Sequence, residues 1–290
     1  MERRNKWIFG LVVIFYVFLI MLVVYFYFHY RKLNNGLRFD IANVDVSDFV
    51  GDESIDSEIL FYQNIDDEIV NMYNEYYSNI ALLEQKIMNG ESSVHIAYLT
   101  FDDGPYDLTL RYLDILKRNN IRATFFCLGK DGFDDTYRRI VSEGHTLANH
   151  TFYHNISSGL YDSVDSFIGQ VKKLEDYLYN ITGFRTSIVR FPGGSSTARE
   201  HRDGIINELH NMGYNYVDWT SETGDGSSLK LALKDTYSWY LDTTRDKNII
   251  VLLMHDYNYS TYNDLERIIG DLRNRGFIFL PLHNKSVMVK

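Results

Sequence analysis

Cysteine, positive charge and repetition are all scarce in this 290-residue chain. The single cysteine, Cys127, excludes an internal disulfide framework. It sits in the apolar run "ATFFCLG", where a buried, inert thiol is the plain reading. Lys and Arg number 29 against 39 Asp and Glu, for a net charge of −10, which excludes the basic footprint of a nucleic-acid binder. There is no internal repeat and no low-complexity tract. What is present in quantity is apolar side chain. Hydrophobic residues make up 45% and aromatics 15%, enough for a real core and too much for wholesale disorder.

The charge is unevenly placed. Residues 1–32 carry a net +4, residues 33–93 a net −11 and the remainder −3, so the acidity belongs to a connecting segment. Trp7 to Phe28 is an unbroken run of 22 apolar or small residues, and a helix needs roughly 20 to cross a bilayer core. The run leaves through "YFYFHYRK", with bulky aromatics where a cleavable signal peptide has small residues, so an uncleaved anchor is expected. Arg3, Arg4 and Lys6 before the span outnumber Arg31 and Lys32 after it. That balance predicts a cytoplasmic N-terminus, with the bulk of the chain extracellular.

Residues 33–64 read as a solvated, self-repelling tether. Ile65, Ile69, Met72, Tyr73, Tyr76, Ile80, Leu83 and Ile87 then fall at helical spacing, predicting an amphipathic helix that ends near "NGESS". Its apolar face is expected to pack on the following domain, with a second copy of the chain as the other possible cover. The expected division is therefore 1–32 anchor, 33–93 acidic and partly helical stalk, and 94–290 main domain.

From Val94 onward short apolar runs alternate with helical patterns. Candidate strands are "HIAYLTF", "RATFFCLG", "TLAN", "SIVRF", "NYVDW", "IIVLLMH" and "FIFLPL". Strand–helix alternation predicts a parallel α/β architecture, and seven strands suit either a barrel or a doubly wound sheet. Polar residues recur at the strand ends: Asp102 and Asp103, then "NHTFYH", Arg190, Asp218 and His255. The C-terminal rim of a parallel barrel is where active sites are built.

His150 and His154 are four apart, which on a helical turn puts both imidazoles on one face, within reach of a single metal. A carboxylate from another strand end would complete three protein ligands and leave positions open for water or substrate. The adjacent acids in "YLTFDDGPY" then have a division of labour. One binds metal, and its neighbour is kept ionised by the cation and free to act as a base.

"TFDDGP", "HTFYH", "RFPGG", "DW" and "LMH", in this order, resemble the polysaccharide deacetylases of carbohydrate esterase family 4, the NodB-homology domain. The resemblance spans about residues 95–283. It implies an irregular (β/α) barrel and metal-dependent removal of acetyl groups from N-acetylated sugars. By resemblance, Asp102 is the catalytic base, Asp103, His150 and His154 the metal ligands, and Thr151 a residue that steadies the metal loop. Arg190 matches the arginine that pairs with the base, His255 the general acid, and Asp218 the carboxylate that orients that histidine. Trp219 and Leu253 match residues lining the groove and the pocket for the acetyl methyl. Pro192 and Gly193 belong to the substrate-binding arginine motif, where many members have Tyr instead of Gly193 and use its backbone N–H at the oxyanion.

The resemblance thus implies a divalent metal, zinc first, with cobalt, nickel or manganese also suited to two imidazoles and a carboxylate. It also implies an N-acetylated polysaccharide as partner, and the anchor favours a wall polymer such as peptidoglycan. A non-catalytic polysaccharide-binding or scaffold protein on the same fold is the alternative. Retention of base, ligands, arginine and acid argues against it.

Overall fold

The computed structural model describes residues 75–289. The apolar run at 7–28 and the tether at 33–64 lie outside the described residues. Among those described, no helix is long and apolar enough to cross a membrane.

Eight strands form one sheet, and every pair is parallel. In chain order they are β1 (His95–Asp102), β2 (Thr124–Cys127), β3 (Thr146–Asn149), β4 (Ile188–Val189), β5 (Asn215–Tyr216), β6 (Ser221–Glu222), β7 (Ile249–His255) and β8 (Phe277–Phe279). Their spatial order is β5-β4-β3-β2-β1-β7-β6. β1 pairs with β7 along its length, while its other edge is shared: β8 takes Ile96 and its neighbours, and β2 takes Thr100 to Asp102. The sheet therefore curls as a part-barrel with a flank between β5 and β6. All seven expected strands are present. The eighth, β6, is two polar residues long and carries no apolar signal.

The period-2 alternation of a strand decides which side chains go where. Ile96, Tyr98, Phe126, Ala148, Ile188, Val217 and Val251 fill the inside of the curl. Ala97, Leu99, Phe101, Phe125, Leu147, Ile250, Leu252 and Met254 point outward, under helices. Strands buried on both faces read as continuous apolar runs, which is why they were legible. The cover comes from α2 (Thr109–Arg118), α3 (Asp134–Ser142), α4 (Val164–Thr182) and α6 (Tyr259–Asn274), through Tyr112, Leu116, Ile140, Leu174, Leu265 and Ile268 among others. α4 also joins α5 (Arg202–Asn211) against Val189, Phe191 and Tyr216. Each such large apolar side chain contributes about 1.5–3 kcal/mol on burial.

The helix α1, at residues 75–88, precedes β1. It buries Tyr77, Ile80, Glu84 and Ile87, and Ile87 joins the inner cluster beside Ile96, Leu282 and Val289. Ile65, Ile69, Met72 and Tyr73 of the expected apolar face lie outside the described residues; over 75–88 that face packs on the same chain, one residue out of phase at Tyr76, which is 54% exposed while Tyr77 is 7%. α1 shares the core of the following domain, although it falls within the segment expected to be stalk.

Candidate active site

The registers bring the chemistry together at one rim. β1 and β7 end side by side, with Asp102 opposite His255. Asp102 faces inward and is 3% exposed. Its Oδ1 accepts from Arg190 Nη1 at 2.8 Å, and the fully buried guanidinium also reaches the Thr100 hydroxyl (2.8 Å) and the carbonyls of Val217 and Asp218 (3.2 Å each). One side chain just after β4 thus ties β1 to the segment after β5 across the inside of the curl. Burial raises the Asp102 pKa above the ordinary carboxylate range, opposed by the charges of Arg190 and His255. Removing Arg190 would strand a buried carboxylate, at a cost of about 3–5 kcal/mol.

Asp103 should point outward if strand alternation continued. It takes the left-handed conformation instead, φ 71°, which breaks the alternation and lets both carboxylates face the same cleft. Its Oδ1 lies 3.6 Å from His150 Nε2 and 3.5 Å from His154 Nε2, while His150 Nε2 is 3.6 Å from Asp102 Oδ2. These are too long for good hydrogen bonds. The His150 Nδ1–H donates to the Arg190 carbonyl at 2.8 Å, leaving the Nε2 lone pair turned to the cleft. Burial foremost pushes His150 down to about 3, so it is neutral at pH 7.

The histidine pair does not sit on a helical turn as its spacing suggests. It lies in the loop after β3, where Thr151 (φ 67°) and His154 (φ 53°) are both left-handed. The Thr151 hydroxyl accepts from His154 N at 3.3 Å, and Thr151 N donates to Asn149 Oδ1 at 2.9 Å. Positive φ in three non-glycine residues around one spot marks a locally strained backbone held by its surroundings.

Ligand atoms of Asp103, His150 and His154 all lie within 4.8 Å of one another. Asp103 Oδ1 is buried with no hydrogen-bond partner. A buried carboxylate oxygen without a donor, between two imidazole lone pairs, fits a divalent cation.

His255 is held by Asp225, not by Asp218. Its Nδ1–H donates to Asp225 Oδ1 at 2.8 Å and its backbone N–H to Oδ2 at 2.9 Å, while the Thr261 hydroxyl fixes Oδ2 at 2.6 Å. Burial is the largest influence on His255 and disfavours its charge. The Asp225 hydrogen bond and charge, with the charges of Asp102 and Asp103, outweigh it and lift the pKa to about 9. Asp218 instead accepts from the Ser195 backbone N–H (2.8 Å) and hydroxyl (2.6 Å). The correction has a physical reason. The resemblance of "DW" drew that role to Asp218, whereas Asp225 lies beyond the short strand β6, whose two polar residues give no apolar strand signal to mark the acid that follows.

The cleft holds about 280 Å³ and is lined by these groups together with Ile156, Gly193, Trp219, Leu253, Tyr257 and the Lys230–Glu222 ion pair. Pro192, expected at the substrate, does not line the cleft; its carbonyl accepts from the Tyr161 hydroxyl at 2.8 Å. Sequence reasoning also missed Lys130. Its Nζ donates to the Asp103 carbonyl at 2.8 Å and lies 3.1 Å from the Tyr106 ring centroid.

Residues 89–217 match the family model for polysaccharide deacetylase. The match contains Asp102, Asp103, His150, His154 and Arg190, while Asp225 and His255 lie past its end. A peptidoglycan-N-acetylglucosamine deacetylase of Bacillus cereus is 30% identical over 66% of this chain and 70% of the relative. A chitin deacetylase of Colletotrichum lindemuthianum is 31% identical over 62% of this chain and 74% of the relative. Among solved structures, the catalytic domain of peptidoglycan N-acetylglucosamine deacetylase from Eubacterium rectale superposes with a TM-score of 0.61 at 28% identity. That match covers 69% of this chain and 96% of the other.

Proposed function

The chain belongs to the polysaccharide deacetylase family, and from that premise we propose that it hydrolyses the acetamide of N-acetylglucosamine residues in peptidoglycan, releasing acetate in a metal-dependent reaction. The observation that carries this reading is the facing of two opposite groups across one cleft. Asp102 is a carboxylate paired with Arg190, and His255 is an imidazole whose charged form Asp225 favours.

Asp103, His150 and His154 would hold the cation, and zinc suits two imidazoles and a carboxylate with positions left open. When bound, such an ion polarises the acetyl carbonyl and acidifies water. Asp102 takes the proton of the attacking water as its oxygen bonds to the carbonyl carbon, and Arg190 keeps that base oriented. The Gly193 N–H donates to the oxyanion that develops. His255 gives its Nε2 proton to the amide nitrogen as the C–N bond breaks, so a neutral amine and acetic acid form, and the acid leaves as acetate after giving its proton to solvent. Leu253, Ile156 and Trp219 enclose the methyl group. Asp225 favours the charged form of His255, so the rate falls as pH rises through the raised pKa of that histidine. It falls again on the acid side, as Asp102 protonates.

The choice of peptidoglycan rests on two of the relatives and on the apolar span at 7–28, which would keep the domain outside the cell beside the wall. Acetate release by the full-length chain in detergent tests the reading, with purified peptidoglycan and N-acetylglucosamine oligomers as substrates. Release is expected to be abolished by chelation and to be faster on peptidoglycan. Release unaffected by chelation would refute the metal dependence, and a preference for the neutral oligomers would refute peptidoglycan.

A further inference from the structure

The loop Phe191–Ser195 brings Gly193 to the cleft through two consecutive left-handed residues, Gly193 (φ 73°) and Gly194 (φ 87°). Such a segment has no regular hydrogen-bond ladder to hold it, so its partners must come from elsewhere. Tyr161 holds the Pro192 carbonyl and the Thr197 hydroxyl holds the Gly193 carbonyl, both at 2.8 Å. Gly194 N–H donates to the Phe191 carbonyl at 2.8 Å. The last fixing point is Ser195, which is 5% exposed and is gripped at both its N–H and its hydroxyl by the two oxygens of Asp218. The carbonyl of Asp218 accepts from Arg190 Nη2, the same guanidinium that holds Asp102. Gly194 also abuts this residue and its neighbour. A Cβ there would lie 3.2 Å from the Trp219 ring and 3.7 Å from Asp218 Oδ1.

We propose that Asp218 is a positioning residue for the oxyanion donor: its bidentate grip on Ser195 sets where the Gly193 N–H points relative to Asp102. The proposal rests on the deacetylase reading above. It assigns Asp218 to the stabilisation of the oxyanion and separates it from the proton transfer at His255, which Asp225 governs. Two carboxylates seven residues apart therefore serve opposite sides of the cleft. An N–H displaced by a fraction of an ångström contributes far less to a developing charge, because its stabilisation depends on pre-set geometry.

The test uses the full-length chain in detergent. Asp218→Ala should lower kcat on N-acetylglucosamine oligomers by about ten- to a hundredfold with KM little changed. The alkaline limb of its pH profile should stay where it is in the unaltered chain, whereas Asp225→Asn should move that limb to lower pH. Asp218→Asn keeps an acceptor for the Ser195 N–H and should recover part of the rate. Independently of activity, hydrogen exchange in a peptide covering residues 191–197 should speed up in Asp218→Ala. An unchanged kcat in Asp218→Ala, an alkaline limb that moves with it, or unchanged exchange at 191–197 would each overturn the proposal. If the unaltered chain releases no acetate, the deacetylase reading falls by itself, and the exchange result still decides whether the clamp exists.

Discussion

The two ends of the barrel each hold a carboxylate with a buried oxygen, and they treat it in opposite ways. At the end where the strands begin, Glu84 of α1 accepts from the hydroxyls of Tyr98 and Ser286 at one oxygen and from the Val287 N–H (2.9 Å) at the other. Burial, the largest influence, raises its pKa, and those three donors oppose it. At the end where the strands finish, Asp103 Oδ1 is buried with no donor at all, in a backbone held at positive φ. A satisfied buried polar group ties elements together, while an orphan costs stability unless something else binds there. The first end is built for stability, and the second gives some of it up for chemistry.

The sharpest way to break this contrast is at the rim. Asp102→Asn and His255→Ala should each cut acetate release per folded molecule by roughly a hundred- to ten-thousandfold, and each should also lower the melting temperature, since Asp102 pairs with buried Arg190 and His255 with Asp225. Turnover per folded molecule that stays near the parent's would place these residues on the structural side of the comparison. Next in size is the cation itself. His154→Ala should lose bound metal by elemental analysis, and adding zinc to the chelated parent should raise its melting temperature, by an amount worth about 2.7 kcal/mol at a hundred times Kd. An equal rise in the variant would remove the orphan oxygen's explanation.

At the opposite end, Glu84→Ala leaves three buried donors unpaired and should destabilise by about 2–4 kcal/mol in denaturant melts, with kcat per folded molecule unchanged. Loss of turnover without loss of stability would reverse the assignment of the two ends. A smaller effect belongs to Asp225→Asn, whose His255 should titrate below about 9 by NMR. The sign follows from the raised folded pKa. The stability His255 contributes is complete below its ordinary 6.5 and is lost as pH rises through about 9, so this variant should flatten the parent's stability loss over that window. Smallest of all, Tyr76→Ser on the exposed side of α1 should change stability by no more than about 0.5 kcal/mol, in contrast to buried Tyr77.

Much of this molecule was legible before any coordinates. Strands buried on both faces announce themselves as apolar runs, and the adjacent acids of "TFDDGP" and the spaced histidines announce a rim. What escaped has a common cause. β6 is too short and polar to show a period, so the acid that follows it, Asp225, was passed over for Asp218. His150 and His154 looked like one face of a helix because spacing alone cannot distinguish a helical turn from a loop with two left-handed residues. Lys130 lies in no recognisable motif, and only the approach of the loops after β1 and β2 brings it to Asp103.

By itself, then, the sequence determined seven of the eight strands and their buried faces, and it named candidate groups for the rim, because alternation and side-chain chemistry are local properties of the chain. Only the tertiary structure decided the partnerships: Asp225 with His255, Asp218 with Ser195, Arg190 between Asp102 and the carbonyls after β5. Those depend on parallel registers and loop paths that set residues tens of positions apart within 3.2 Å. That distance is a property of the packed sheet, and no window along the chain contains it.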